Sequence, residues 1–197
     1  SSSSSGSSSS SGPYAADTRV TRYEYTDDGW LRKLYSDNAS TGQQLTEWVY
    51  GVTTGQGSAL NSKRLVFQKI YPDSTGTGDR VTNIYNGQLQ VTGMTDQLGT
   101  IHQYGYDMLG RLLSDTVEHF GSGVNDVVGK LETAFNERGL VTRATSYNTA
   151  GTTRLNEIAW DYNGFNQPVA EYQEHSGAVV KTTSLRVGYT YADGSAN

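Results

Sequence analysis

The sequence predicts an all-β chain built as an elongated, repetitive antiparallel sheet, and three observations carry that expectation. Short runs rich in Tyr, Val and Thr alternate between apolar and polar positions, the pattern of half-buried strands. Glycine-, Asn- and Asp-rich breaks interrupt them at short intervals, as hairpin turns require. One unit then recurs: an aromatic residue, a polar residue that is usually Asp or Asn, two variable positions, and Gly or Asn. No run of helical periodicity is long enough to compete with this grammar.

Residues 1–13 form a Ser/Gly-rich arm or linker closed by Pro13, with no apolar face to offset the entropy of ordering it. A β domain is expected over residues 14–197, opening at Tyr14. Arg19–Tyr25 reads as its first strand, followed by a turn at Asp27 and Gly29. Strands are also expected at Glu47–Tyr50, Arg64–Tyr71 and Leu185–Tyr191, with breaks at Asp73–Asp79, Asn86-Gly87, Gly99, Gly121–Gly123, Gly151 and Asn163-Gly164. The stretch between residues 32 and 84 is the least regular.

The clearest copy of the repeated unit is Tyr104-Gly105-Tyr106-Asp107-Met108-Leu109-Gly110-Arg111-Leu112. Tyr23–Leu31, Phe135-Asn136 through Gly139, and Trp160–Asn166 align with it, and Tyr189–Gly194 starts a further copy. Tyr85-Asn86-Gly87 and Asp96–Gly99 are abbreviated relatives. From Tyr106 the aromatic positions fall at Phe135, Tyr162 and Tyr191, spacings of 29, 27 and 29 residues that accommodate two strands and two turns. In this reading Tyr25, Tyr85, Tyr106, Phe135, Tyr162 and Tyr191 are anchors that end a strand and pack inward. Asp27, Asn86, Asp107, Asn136 and Asn163 cap the turns through their side chains. Gly29, Gly87, Gly99, Gly110, Gly139 and Asn166 supply the crowded or left-handed turn positions.

These strings resemble the YD repeats of bacterial RHS proteins and animal teneurins over roughly residues 18–197. The resemblance implies a long antiparallel sheet that spirals, commonly wrapped into a hollow shell, of which this chain would be a part or which a neighbouring subunit would complete.

Composition narrows the function. The 197 residues hold 15 Lys and Arg against 20 Asp and Glu, a net charge of -5, with no basic run to track a phosphate backbone, so no nucleic-acid partner is expected. Cysteine is absent, which removes disulfides and thiolate chemistry. No apolar run is long enough for a transmembrane segment. His102, His119 and His175 are not spaced as metal ligands, and no nucleophile elbow or phosphate cradle occurs. No catalytic residue, metal or cofactor is therefore expected. Asn38-Ala39-Ser40 is a formal glycosylation sequon.

The reading that follows is a non-catalytic structural protein, extracellular or at the cell surface, that assembles with copies of itself as a fibre-type subunit. Tyr14, Tyr189 and Tyr191 are the candidate joining residues. The alternative is a shell fragment of a larger RHS-type toxin or adhesion protein, whose partners are further repeats of the same precursor. A carbohydrate-binding module is the third reading, because Trp30, Trp48 and Trp160 could stack on sugar, although strand anchoring explains them more simply.

Overall fold

The computed structural model describes residues 20–38, 42–72 and 78–192. The Ser-rich arm, Tyr14, Asp73 and Gly194 lie outside the described residues. Thirteen strands follow one another: β1 (Thr21–Tyr25), β2 (Leu31–Asn38), β3 (Gly42–Val52), β4 (Ser62–Ile70), β5 (Arg80–Tyr85), β6 (Val91–Thr95) and β7 (Ile101–Tyr106). They continue with β8 (Leu112–His119), β9 (Val128–Phe135), β10 (Val141–Asn148), β11 (Arg154–Tyr162), β12 (Pro168–Glu174) and β13 (Leu185–Gly188). A single 3-10 turn, Thr54–Gln56, is the only helical element among the described residues.

Spatial order equals sequence order. All thirteen strands belong to one sheet, every neighbour is the next strand in the chain, and each described pairing is antiparallel. The sheet is open, with β1 and β13 at its edges. Because strand direction alternates and the count is odd, both edge strands run the same way. The irregular stretch between residues 32 and 84 obeys the same meander, with a longer loop at 53–61 where the other connections on that rim of the sheet are tight turns.

A sheet one layer deep leaves little to bury. The buried hydrophobic residues are Val52, Tyr85, Tyr147, Ala159, Ala170 and Tyr172. Three of them, Ala159, Ala170 and Tyr172, form a packed cluster, and they do so because the segment between β12 and β13 folds back over β11 and β12. Its Val179 packs on that cluster, and its Lys181 pairs with Asp161 at 2.5 Å. Beneath it Glu157 is fully buried yet fully partnered: Thr145 Oγ1 and the Val179 N–H donate to it at 3.0 Å, and Arg143 and Arg154 lie 3.4 and 3.5 Å away. Such pairing is what a buried carboxylate needs to stay in place.

The expectation that the anchors pack inward therefore needs correcting, since a single layer has no general interior. Tyr25 is 57% exposed, and of the anchors only Tyr85 is buried. Trp30, Trp48 and Trp160 are half-buried against neighbours: Trp30 on Tyr50 at 5.4 Å, Trp48 under the Lys69 ammonium, and Trp160 donating its N–H to Glu171 at 3.0 Å.

Candidate functional site: a tyrosine-locked rim of turns

The connections that follow odd-numbered strands share one rim of the sheet: 26–30, 53–61, 86–90, 107–111, 136–140 and 163–167. The tight ones are built alike. In the Asp107 turn, the Asp107 N–H donates to the Arg111 carbonyl and the Gly110 N–H donates back to Asp107, both at 3.0 Å. The side chain closes the loop: Asp107 Oδ1 accepts the N–H groups of Leu109 and Arg111, each at 2.9 Å. Asn86, Asn136 and Asn163 repeat this double acceptance at 2.9–3.1 Å. The turn needs an oxygen at its first residue because two main-chain donors converge there, which is why Asp and Asn recur.

The fourth residue needs a left-handed backbone. Gly29, Gly110 and Gly139 sit at φ 83, 82 and 81°, and Asn166 at 65°. Two sequence expectations fail here. In the first turn the cap is the Thr26 hydroxyl, which accepts the Trp30 N–H at 3.1 Å, so Asp27 caps nothing. In the Asn86 turn the left-handed residue is Leu89, at φ 67°, and Gly87 is not left-handed. Gly99 is left-handed, at φ 84°, but its turn, capped by Asp96, joins β6 to β7 and so lies on the opposite rim. Asn148 caps a turn on that opposite rim as well.

The second component is a ladder of tyrosine hydroxyls. Tyr106 donates to the Val91 carbonyl at 2.7 Å, and Val91 is the residue paired with Tyr85. The same rule holds along the sheet: each anchor donates to the residue paired with the anchor before it. Tyr50 reaches Leu31 at 2.9 Å, Tyr85 reaches Val66 at 2.8 Å, Tyr162 reaches Val141 at 2.7 Å and Tyr191 reaches Pro168 at 2.8 Å. Their acceptors are paired with Tyr25, Tyr50, Phe135 and Tyr162 respectively. Pairing register shifts, a bulge or irregularity, occur beside Tyr25, Tyr50, Tyr85, Tyr106 and Tyr162. Burial raises the pKa of Tyr85 and Tyr106, so both hydroxyls keep their protons as donors.

Phe135 has no hydroxyl and breaks the ladder. There the Arg111 guanidinium lies over the ring at 4.4 Å while its Nε bonds Asp107 Oδ2 at 2.6 Å, so a cation–π contact joins the two hairpins instead. Neighbouring turns are also bonded directly. Gln90 Nε2 donates to the Gly110 carbonyl at 2.8 Å, and Arg138 donates to the Asn163 carbonyl at 3.2 Å. Tyr50, Gln90 and Arg138 were not singled out as site residues from sequence, and Arg111 was read only as part of the repeated string, because their roles depend on which hairpin stands next to which.

Both edge strands present aromatic and apolar side chains. Tyr23 and Tyr25 are each 57% exposed on β1, while Leu185, Val187, Tyr189 and Tyr191 are exposed at or beyond β13. Tyr189 and Tyr191 are thus on one edge, each with its hydroxyl bonded back to β12 residues, Glu171 at 3.3 Å and Pro168 at 2.8 Å. Asn38 ends β2 opposite Gly42, and the rest of its sequon lies outside the described residues.

Elsewhere His102 Nδ1 lies 2.7 Å from Asp115 Oδ1, with its ring stacked on Tyr104. His119 ends β8 and His175 follows β12. Among the described residues no group of three or more His, Cys, Asp or Glu is placed to hold a metal, and no helix is long and apolar enough to cross a membrane.

No known family model matches the chain, and no curated protein matches its sequence. Solved structures similar to it include a Tc holotoxin pore of Photorhabdus luminescens, at 10% identity over 81% of this chain, with a TM-score of 0.28. A TcdB2–TccC3–TEV structure matches 88% of the chain at 11% identity and a TM-score of 0.30. A TcdB2–TccC3 structure matches 81% at 10% identity and a TM-score of 0.28. The matched part is 10–11% of the length of those chains. Similarity at this level transfers neither a family nor an activity.

Proposed function

We propose that the chain is a non-catalytic structural segment of the YD-repeat type, extracellular or at a cell surface, which extends a sheet by adding like hairpins. The observation that carries this reading is the tyrosine rule. Each later hairpin is fastened to the one before it by a tyrosine in or just after its own first strand, or at Phe135 by a ring that the preceding hairpin's Arg111 covers, so the same join can be repeated. A strand edge with unpaired main-chain groups and exposed aromatic residues is a template for a further strand.

Two sources of that strand fit, and strand direction distinguishes them. Copies joined β13 to β1 with the same face outward would meet in parallel, against the antiparallel pattern of every described pair. The next hairpin of one continuous chain keeps that pattern, because it adds an oppositely directed strand first. This favours a segment of a larger RHS-type shell or adhesion protein over a fibre made of separate copies. Electron microscopy with sedimentation of the isolated chain tests the choice. We expect no regular filaments; concentration-dependent filaments weakened by deleting residues 188–197 would overturn it in favour of the fibre.

A further inference from the structure

The two Asn-Gly dipeptides on the rim have a feature the turn does not demand. Neither Gly87 nor Gly164 is left-handed, and nothing lies within 4 Å of the place where a Cβ would stand on either. Equivalent turns carry Met108 and Glu137 at this position, so the fold accepts a side chain there. Glycine at these sites has a chemical consequence instead. With no side chain on the following residue, nothing at Cβ hinders attack of its main-chain nitrogen on the Asn side-chain carbonyl carbon.

At Asn163 a second group acts on the same peptide. Arg138, from the turn of the preceding hairpin, donates through Nη1 to the Asn163 carbonyl at 3.2 Å and approaches the Gly164 carbonyl at 3.5 Å. The Asn163 carbonyl is conjugated to the Gly164 nitrogen. A guanidinium hydrogen-bonded to that oxygen stabilises the negative charge that appears there when Gly164 N–H loses its proton. At Asn86 the carbonyl accepts the Leu89 N–H at 3.1 Å, and no described contact brings a cation onto it.

We propose that Asn163 is a self-modifying site, deamidating through a cyclic imide with Arg138 as the activating group. The Gly164 N–H proton passes to water, and the nitrogen attacks Asn163 Cγ. The N–Cγ bond forms, the Cγ–Nδ2 bond breaks, and Nδ2 leaves as ammonia after taking a proton from water. Water then opens the imide. Attack at Cγ yields aspartate; attack at the main-chain carbonyl carbon yields isoaspartate, with one more backbone carbon in the turn. No oxidant or cofactor is involved.

The outcome changes the rim. Asn163 Nδ2 donates to Gln167 Oε1 at 2.9 Å, and that donor is lost in either product. Aspartate keeps an oxygen for the Phe165 and Gln167 N–H groups and gains a negative charge in the turn. Isoaspartate displaces that oxygen and loosens the β11–β12 turn. A structural protein would thereby carry a slow, spontaneous change in charge and turn stiffness.

Peptide mapping by mass spectrometry of the whole chain, incubated at mildly alkaline pH, tests the proposal. In the native protein Asn163 should be modified about tenfold faster than Asn86, the rate change that one charge-assisted hydrogen bond supplies. Asn136, which caps the same kind of turn but precedes Glu137, should stay intact. R138L should lower the Asn163 rate to that of Asn86 and leave Asn86 unchanged, with circular dichroism confirming the fold. In denaturant the two Asn-Gly sites should react alike. Equal rates at both sites in the native protein, no reaction at Asn163, or an unaltered Asn163 rate in folded R138L would overturn it.

Discussion

Replacing Tyr106 by Phe removes one atom, the hydroxyl oxygen that donates to the Val91 carbonyl at 2.7 Å. Ring packing, bulge and strand pairing are untouched, so the loss isolates the lock. A half-buried hydrogen bond contributes about 0.5–1.5 kcal/mol net, and the carbonyl it leaves behind adds to the cost. The expected destabilisation is about 1–1.5 kcal/mol, or a fall of about 2–6 °C in the melting temperature for a chain of this size. Urea and thermal unfolding followed by circular dichroism read both quantities. Tyr25→Phe is the internal control, since the Tyr25 ring is 57% exposed and has no preceding anchor's partner among the described residues. It should shift stability by less than about 0.5 kcal/mol, as exposed substitutions do. Combining Tyr85→Phe, Tyr106→Phe and Tyr162→Phe should give about 3–4.5 kcal/mol, because the locks use different acceptors in different hairpins. The ladder is refuted as a source of stability if Tyr106→Phe costs no more than Tyr25→Phe.

Phe135→Tyr supplies the missing hydroxyl opposite the Leu112 carbonyl, the residue paired with Tyr106, and should raise the unfolding free energy by about 0.5–1 kcal/mol, seen as a higher urea midpoint; a lowered midpoint would mean that Arg111 has taken the space. Gly110→Val places a β-branched residue at φ 82° with its Cβ 3.1 Å from Gln90 Nε2, and should cost about 1–3 kcal/mol; an unchanged midpoint would contradict the turn geometry. Asp107 is held below the ordinary aspartate value of 3.8, first by the Arg111 N–H and then by the Arg111 side chain and the Leu109 N–H. A depressed carboxylate stabilises fully above its unfolded pKa, so this contribution should be present at neutral pH and fade as pH falls below 3.8 through the folded value. In Asp107→Asn that acid-side loss should shrink, and an identical acid limb in the variant would count against the assignment.

The strands and tight turns were legible because each is specified locally. Alternation of Tyr, Val and Thr marks a strand, and an oxygen-bearing residue three before a left-handed one marks this turn, as at Asp107 and Gly110. Ambiguity entered where neighbouring residues could fill one role. Asp27 looked the better cap than Thr26, and Gly87 the better turn glycine, yet the register places Thr26 and Leu89 at those positions. The periodic unit also concealed polarity. Asp96–Gly99 has the same turn chemistry on the opposite rim, and nothing in its local sequence says which rim it occupies. The ladder was illegible for a different reason. Tyr50 donates to a residue in the preceding hairpin, and the long 53–61 loop obscures its equivalence to Tyr85. Contacts between hairpins follow from strand order, which no local pattern contains.

The central claim, that this sheet is extended by a hairpin of its own kind at β13, is tested most directly by amide hydrogen exchange on the chain before and after a copy of residues 163–192 is appended. Leu185–Gly188 pair on one side only, with Gln173–Ala170, and are exposed throughout. With the extra hairpin in place, outward-facing amides of that strand should exchange far more slowly, approaching those of β11 and β12. Exchange at Leu185–Gly188 unchanged by a folded extension would contradict the claim.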